Sequence, residues 1–180
     1  FRHYAKPQNV TAKCKKQKQQ IENYKVNHCE KSENNEKHLM NIFVIIATSF
    51  FRNDLLISRS LKSVYNQVTD NKQDIKVIIV DDNEILQIET LETEIRKLRI
   101  NLNLNQSEFE TIIIPNTRIK FQSGTGAWNT GIFYVKNFDN WKNSFIAILD
   151  DDDEWLPEYL QTCKNAVKES ENIIAVFCQL

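Results

Sequence analysis

The sequence predicts an α/β fold, an α/β/α sandwich wound in both directions around a mostly parallel sheet. Three observations carry that expectation. Five short apolar runs lack the polar alternation of half-exposed strands, helical periodicity fills the gaps between them, and polar or acidic residues stand where three of the runs end. Strands buried on both faces read as continuous apolar, often β-branched runs, and parallel neighbours need helical crossovers of fixed hand.

The first run, "NIFVIIA" (41–47), is followed by "NDLLISRSLKSVYNQ", in which Leu55, Ile57, Leu61 and Val64 share a helix face. "IKVIIV" (75–80) is the second strand and ends in Asp81 and Asp82. An amphipathic helix is expected from about Glu84 to Leu102, with Ile88, Leu91, Ile95 and Leu98 at three- and four-residue steps. "TIIIP" (111–115), "FIAIL" (145–149) and "NIIAVFC" (172–178) supply the third, fourth and fifth strands.

The chain has only three glycines, Gly124, Gly126 and Gly131, all within "SGTGAWNTG". From Ala127 onward, positions 127, 128, 131, 132 and 135 are spaced as one helix face. Gly131 then allows close packing on the sheet, and Gly124 and Gly126 form the loop leading into the helix. The segment is neither a Walker loop nor G-x-G-x-x-G. It reads as a tight turn before a packed helix or as a helix N-terminus able to meet an anion.

Composition narrows the class. A hydrophobic content of 41% with 26% charged residues fits a soluble globular domain, and no apolar run approaches the ~18 residues of a membrane span. The net charge of −1 is unevenly divided. Residues 1–38 hold nine basic and four acidic residues and all three histidines, and read as a polar basic tail or linker. Residues 39–180 carry a net −6 and form the predicted domain. Cys14, Cys29, Cys163 and Cys178 have no C-x-x-C spacing, which argues against zinc; Cys163 and Cys178 read as small core hydrophobes of a cytoplasmic protein. His28 beside Cys29 lacks nearby partners and is set aside as a ligand pair.

The chemistry concentrates at strand ends. "LDDDDEW" (149–155) follows the fourth strand, "VDDNE" (80–84) the second, and "ATSFFR" (47–52) the first. Neighbouring carboxylates repel, so Asp150, Asp151, Asp152 and Asp153 either raise one another's pKa or recruit a cation. Capping the helix that Pro157 opens would need only one of them. In open parallel sheets ligands bind outside the carboxyl ends of the strands, and this topology brings both acidic clusters to one edge, which puts the metal reading ahead.

Together these residues resemble the family 2 glycosyltransferases. The family pattern of a strand ending Pro-Thr-Tyr-Asn-Arg and a helix ending Ser-x-x-x-Gln is matched by "VIIATSFFRNDLLISRSLKSVYNQ". Val-Asp-Asp-Gly-Ser is matched by "VIIVDDNE", Ala-Arg-Asn-x-Gly by "GAWNTGI", and Leu-Asp-x-Asp-Asp by "LDDDDEWLPEYL", in order over residues 41–180. The resemblance implies a GT-A, Rossmann-like fold, a nucleotide-sugar donor (a UDP-sugar first), a divalent Mn²⁺ or Mg²⁺, and an inverting transfer assisted by a carboxylate base.

Carried over residue by residue, it implies metal contact by Asp150, Asp152 and Asp153, and donor contact by Thr48, Phe50, Arg52, Asp81, Asp82, Lys120, Asn129, Asp150 and Asp151. Asp82 would accept an imide N–H of the base, and Arg118 or Lys120 would assist at the diphosphate. The aromatic slot is shared between Ser49 and Phe50. Ala47 replaces the family Pro, and Trp128 replaces the family Arg. The acceptor half and the base are expected beyond Leu180, so the domain is expected to be incomplete at its C-terminus, and a donor-binding unit without transfer activity is an alternative. The acceptor, whether glycan, lipid or protein, is not encoded in these motifs; nucleic acid is not expected. Location is expected to be cytoplasmic, with a peripheral membrane association left open. Two rivals rank lower. A Mg²⁺-binding phospho-receiver would start near residue 75, and a nucleotidyltransferase would carry a Gly-rich loop after its first strand.

Overall fold

A computed structural model describes residues 41–49, 52–120 and 124–168. The polar tail, Phe50, the fifth strand at 172–178, and Cys14, Cys29 and Cys178 lie outside the described residues. Residues 1–38 and 39–180 separate into two units, and the elements below all belong to the second.

Four strands form one sheet: β1 (Ile42–Thr48), β2 (Ile75–Asp81), β3 (Glu110–Pro115) and β4 (Phe145–Asp150). Their order is β3-β2-β1-β4, and every pairing is parallel. β1 and β2 are buried almost throughout, as their unbroken Ile/Val runs require. β1 is thus central, a position that a receiver domain beginning near residue 75 could not fill. That alternative is set aside.

Helix α1 covers Asn53–Leu55 and Leu61–Tyr65, joined by a π-helical stretch at Leu56–Ser60. Helix α2 is Ile88–Asn101, α3 is Thr125–Val135 and α4 is Tyr159–Lys168. One face of the sheet packs Val44, Ile46, Val77 and Ile79 against Leu56, Leu61 and Val64 of α1, Leu91 and Ile95 of α2, and Leu160 of α4. The opposite face packs Phe43, Ile45, Ile78 and Val80 against Ala127 and Val135 of α3. Helices therefore cover both faces, as expected.

Two details correct the sequence reading. The wider π turn rotates α1 so that Leu56 is fully buried, while Leu55 is 37% exposed and Ile57 only half-buried. Helix α2 starts at Ile88 rather than near Glu84, because residues 82–87 form a loop held by Asp81.

At Gly131, α3 packs against the sheet with no room for a Cβ. A Cβ there would lie 2.6 Å from Ile45 Cγ2 and 3.2 Å from Val80 Cγ2, so any side chain would push the helix off the sheet. Gly124 precedes the helix with φ of +74°, in the left-handed region that glycine enters without strain.

Candidate functional site

The direction of winding reverses at β1: β2 and β3 are laid down on one side of it, then β4 on the other. Crevices open at such switch points beyond the carboxyl ends of the strands. A cleft of about 440 Å³ lies there, lined by Ala47, Thr48 and Ser49 at the end of β1, Arg52, Asp82 after β2, Gly124, and Asp150 and Asp151 at the end of β4. The parallel register puts Thr48 level with Asp81, and Ala47 level with Asp150. The three polar strand ends singled out in the sequence therefore meet.

The two adjacent carboxylates after β2 separate into different tasks. Asp81, fully buried, accepts hydrogen bonds from the backbone N–H of Asn83 (3.0 Å), from Asn83 Nδ2 (2.6 Å) and from the backbone N–H of Gln87 (2.6 Å). It thereby shapes the loop that leads into α2. Asp82 lines the cleft, is 4% exposed, and accepts Asn116 Nδ2 at 2.6 Å. Asn116 follows β3 and is itself fixed, because its Oδ1 accepts Thr130 Oγ1 of α3 (2.7 Å) and the Arg118 N–H (2.9 Å). A chain of hydrogen bonds from α3 through Asn116 thus aims the Asp82 carboxylate.

After β4 the picture is one of crowded charge. Asp151 is buried and receives Arg52 Nη1 at 3.0 Å, and the same nitrogen lies 3.2 Å from Asp152 Oδ2. Burial pushes the Asp151 carboxyl above the usual aspartate range, while the Arg52 guanidinium, the Thr48 hydroxyl and the Ser49 backbone N–H pull it back. Asp150 is also pushed up, first by burial and then by the like charges of Asp153, Asp152 and Asp151, against the opposing pull of Arg52. One guanidinium faces three of the four aspartates, Asp150, Asp151 and Asp152.

The acidic turn is anchored to α1. The Trp155 N–H donates to Ser63 Oγ (3.1 Å), Gln67 Nε2 donates to the Leu156 carbonyl (2.7 Å), and the Leu160 N–H donates to Gln67 Oε1 (2.9 Å). This gives a physical reason for the Ser-x-x-x-Gln spacing. Ser63 lies in the last turn of α1 and Gln67 just past its end, and together they clamp the segment bearing the aspartates.

The other expected site residues sit around these clusters. Lys120 donates to the Asn83 carbonyl and so lies across the loop after β2. Arg118 stacks its guanidinium over Phe133 of α3, 4.7 Å from the ring centroid, a contact directed to α3. Asn129, half-buried on α3, is not among the residues lining the cleft. Asp152 is half-exposed and Asp153 exposed, with the Asp153 N–H donating to the Asp150 carbonyl in a turn. Among the described residues, no group of three His, Cys, Asp or Glu side chains is arranged to hold a metal on its own. Sequence reasoning missed Asn116, Thr130, Ser63 and Gln67 as site-building residues. Of these, only the Ser/Gln spacing carries a visible signal.

The family pattern of Glycosyl transferase family 2 matches residues 44–179. Among solved structures, the chain is similar to Staphylococcus aureus TarS, with 20% identity and a TM-score of 0.47 over 72% of this chain and 20% of that one. It is also similar to S. aureus TarS 1-349 in complex with UDP, with 18% identity and a TM-score of 0.48 over 72% and 32%, and to TarS 1-349, with 21% and 0.44 over 72% and 33%. The chain thus spans a fifth to a third of the length of these proteins. No curated protein matches it.

Proposed function

The chain belongs to the family 2 glycosyl transferases, and from that premise we propose that it binds a nucleoside diphosphate sugar, a UDP-sugar before others, across the ends of β1, β2 and β4. The observation that supports this best is one cleft at the switch point with an oriented acceptor, Asp82, at one side and a charge-loaded carboxylate cluster at the other.

A carboxylate fixed by Asn116 is suited to accept the imide N–H of a uracil base. Thr48, at the strand end between the two acidic clusters, stands where the nucleoside would pass. The diphosphate would then lie toward Asp150 and Asp151, where its charge must be offset. Arg52 supplies one positive charge.

A divalent cation fits the rest of this site. Magnesium and manganese bound to nucleotides take one or two protein carboxylates and complete their shells with phosphate oxygens and water, so a three-ligand protein cage is not required. Asp150 and Asp152 would hold it, with Asp153 as a further candidate ligand. Bound there, Mn²⁺ or Mg²⁺ would act as a Lewis acid on the leaving diphosphate.

In the transfer itself, the acceptor oxygen forms a bond to the anomeric carbon as the bond from that carbon to the phosphate oxygen breaks. The electron pair leaves with the diphosphate, the acceptor proton passes to a carboxylate base, and the configuration inverts. Arg52 serves the leaving group directly in this scheme, and the carboxylate cluster would do so only through the cation it would hold.

The proposal is tested by thermal denaturation with UDP, GDP and ADP, each with and without Mn²⁺. Ligand at 100 times its dissociation constant adds about 2.7 kcal/mol. A shift that needs both Mn²⁺ and UDP is expected; no shift with any nucleotide would defeat the donor-site reading.

A further inference from the structure

We propose that Trp128 is the platform of a sugar-binding cleft, in which a single pyranose ring lies with its C–H face on the indole. The inference rests on the nucleotide-sugar reading above and goes further, giving the ring a place and Trp128 a role. A second cleft of about 260 Å³ is lined by Trp128, Ile148, Leu149, Asp150, Asp153, Glu154 and Trp155. It shares Asp150 with the larger cleft, so a ring held in it adjoins the group that would face the diphosphate. It is smaller than the ~300–1,000 Å³ typical of drug-sized pockets, which suits one ring better than a nucleoside.

The walls match a carbohydrate in kind. A pyranose presents an apolar C–H face and an edge of hydroxyl donors. Trp128 and Ile148 offer apolar surface, while Asp153 and Glu154 are exposed carboxylates that can only accept hydrogen bonds when ionised. The same carboxylates would repel a phosphate. Trp155 is a fixed wall: it is 8% exposed, stacks on Tyr159 with centroids 4.6 Å apart, and its backbone N–H is held by Ser63.

Trp128 itself carries a buried polar group. Its indole Nε1–H is buried and has no hydrogen-bond partner among the described residues, although buried indole N–H groups ordinarily find one. The indole is seated by Gly124, where a Cβ would come within 3.3 Å of Trp128 Cε2 and Cζ2. Gly124 lines the larger cleft, so Trp128 stands between the two.

The ring could belong to the donor or to the acceptor, and titration calorimetry separates them. Wild type, Trp128→Phe and Trp128→Ala would each be titrated with UDP, UDP-glucose and UDP-N-acetylglucosamine in Mn²⁺. Methyl glucoside and methyl N-acetylglucosaminide would then be added to the UDP complex. If the ring is the donor's, the ratio of UDP-sugar to UDP affinity falls about tenfold in Trp128→Ala and less in Trp128→Phe. If it is the acceptor's, the same loss appears in methyl glycoside binding. UDP binding with neither sugar readout sensitive to Trp128 would overturn the proposal while leaving the nucleotide site standing. Failure of wild type to bind UDP would sink the nucleotide reading, and the methyl glycosides alone would then decide the sugar site: Trp128-dependent binding keeps it, and its absence ends it.

Discussion

The two acidic strand ends are built in opposite ways. At the end of β2, Asp81 and Asp82 are nearly inaccessible, and three residues that donate to them, Asn83, Gln87 and Asn116, are neutral. At the end of β4, Asp150, Asp151 and Asp152 crowd around one guanidinium, and both Asp150 and Asp151 are pushed toward their protonated forms. Neutral donors fix where a carboxylate points without cancelling its charge. Crowded like charge leaves a cluster that gains from any cation. The first end is suited to reading a ligand by shape, and the second to holding charge.

The largest effect should come from the structural member of the first pair. Asp81→Ala strips the acceptor from three buried or part-buried donors in the loop before α2. Leaving such donors unsatisfied costs about 1–3 kcal/mol each at most, so a loss of about 3 kcal/mol in urea denaturation is expected. A loss under about 1 kcal/mol would show that the loop does not depend on Asp81.

Asp82 is then the sharper test of recognition. Asn116→Ala removes the 2.6 Å donor that orients it and breaks the link to Thr130. Hydrogen bonds to charged groups contribute about 1.5–3 kcal/mol, so UDP affinity should fall about tenfold or more, with discrimination against GDP and ADP reduced. Unchanged discrimination would separate Asp82 from base reading.

The smallest effects are those of pH on the β4 cluster, which remains in contact with solvent and is screened. Asp150 has a folded-state pKa above its unfolded value, so the native state binds its proton more tightly. By linkage this group lowers stability above its raised pKa and restores it as pH falls through that value. Cation affinity should run the other way, weakening as the pH falls through the same range. Calorimetric Mn²⁺ titrations across that range would test this, and a flat profile would remove Asp150 from the ligands.

Much of the fold was legible because the strands of this sheet are buried on both faces and so read as uninterrupted Ile/Val runs. Gly131 was legible as a close-packing residue because the chain uses glycine so sparingly. The register of α1 was not. A π turn alters the residue-per-turn count, and only the structure shows Leu56 inward in place of Leu55. The site was legible as three strand ends, since parallel topology gathers them. The different tasks of Asp81 and Asp82 were not, because two adjacent identical residues carry no sign of which one turns toward the cleft. Asn116 was invisible for a similar reason: its role depends on β3 ending in register with β2.

The contrast between the two ends is tested most directly at Asp150. Melting temperatures of wild type and Asp150→Asn would be compared in a chelator and in Mn²⁺ with UDP. The account predicts a reversal: the variant melts slightly higher than wild type in chelator at neutral pH, because like-charge repulsion is relieved. It then melts lower with Mn²⁺ and UDP, because the ligand-induced shift is lost. A variant that melts lower in chelator yet keeps the full Mn²⁺- and UDP-dependent shift would contradict the account.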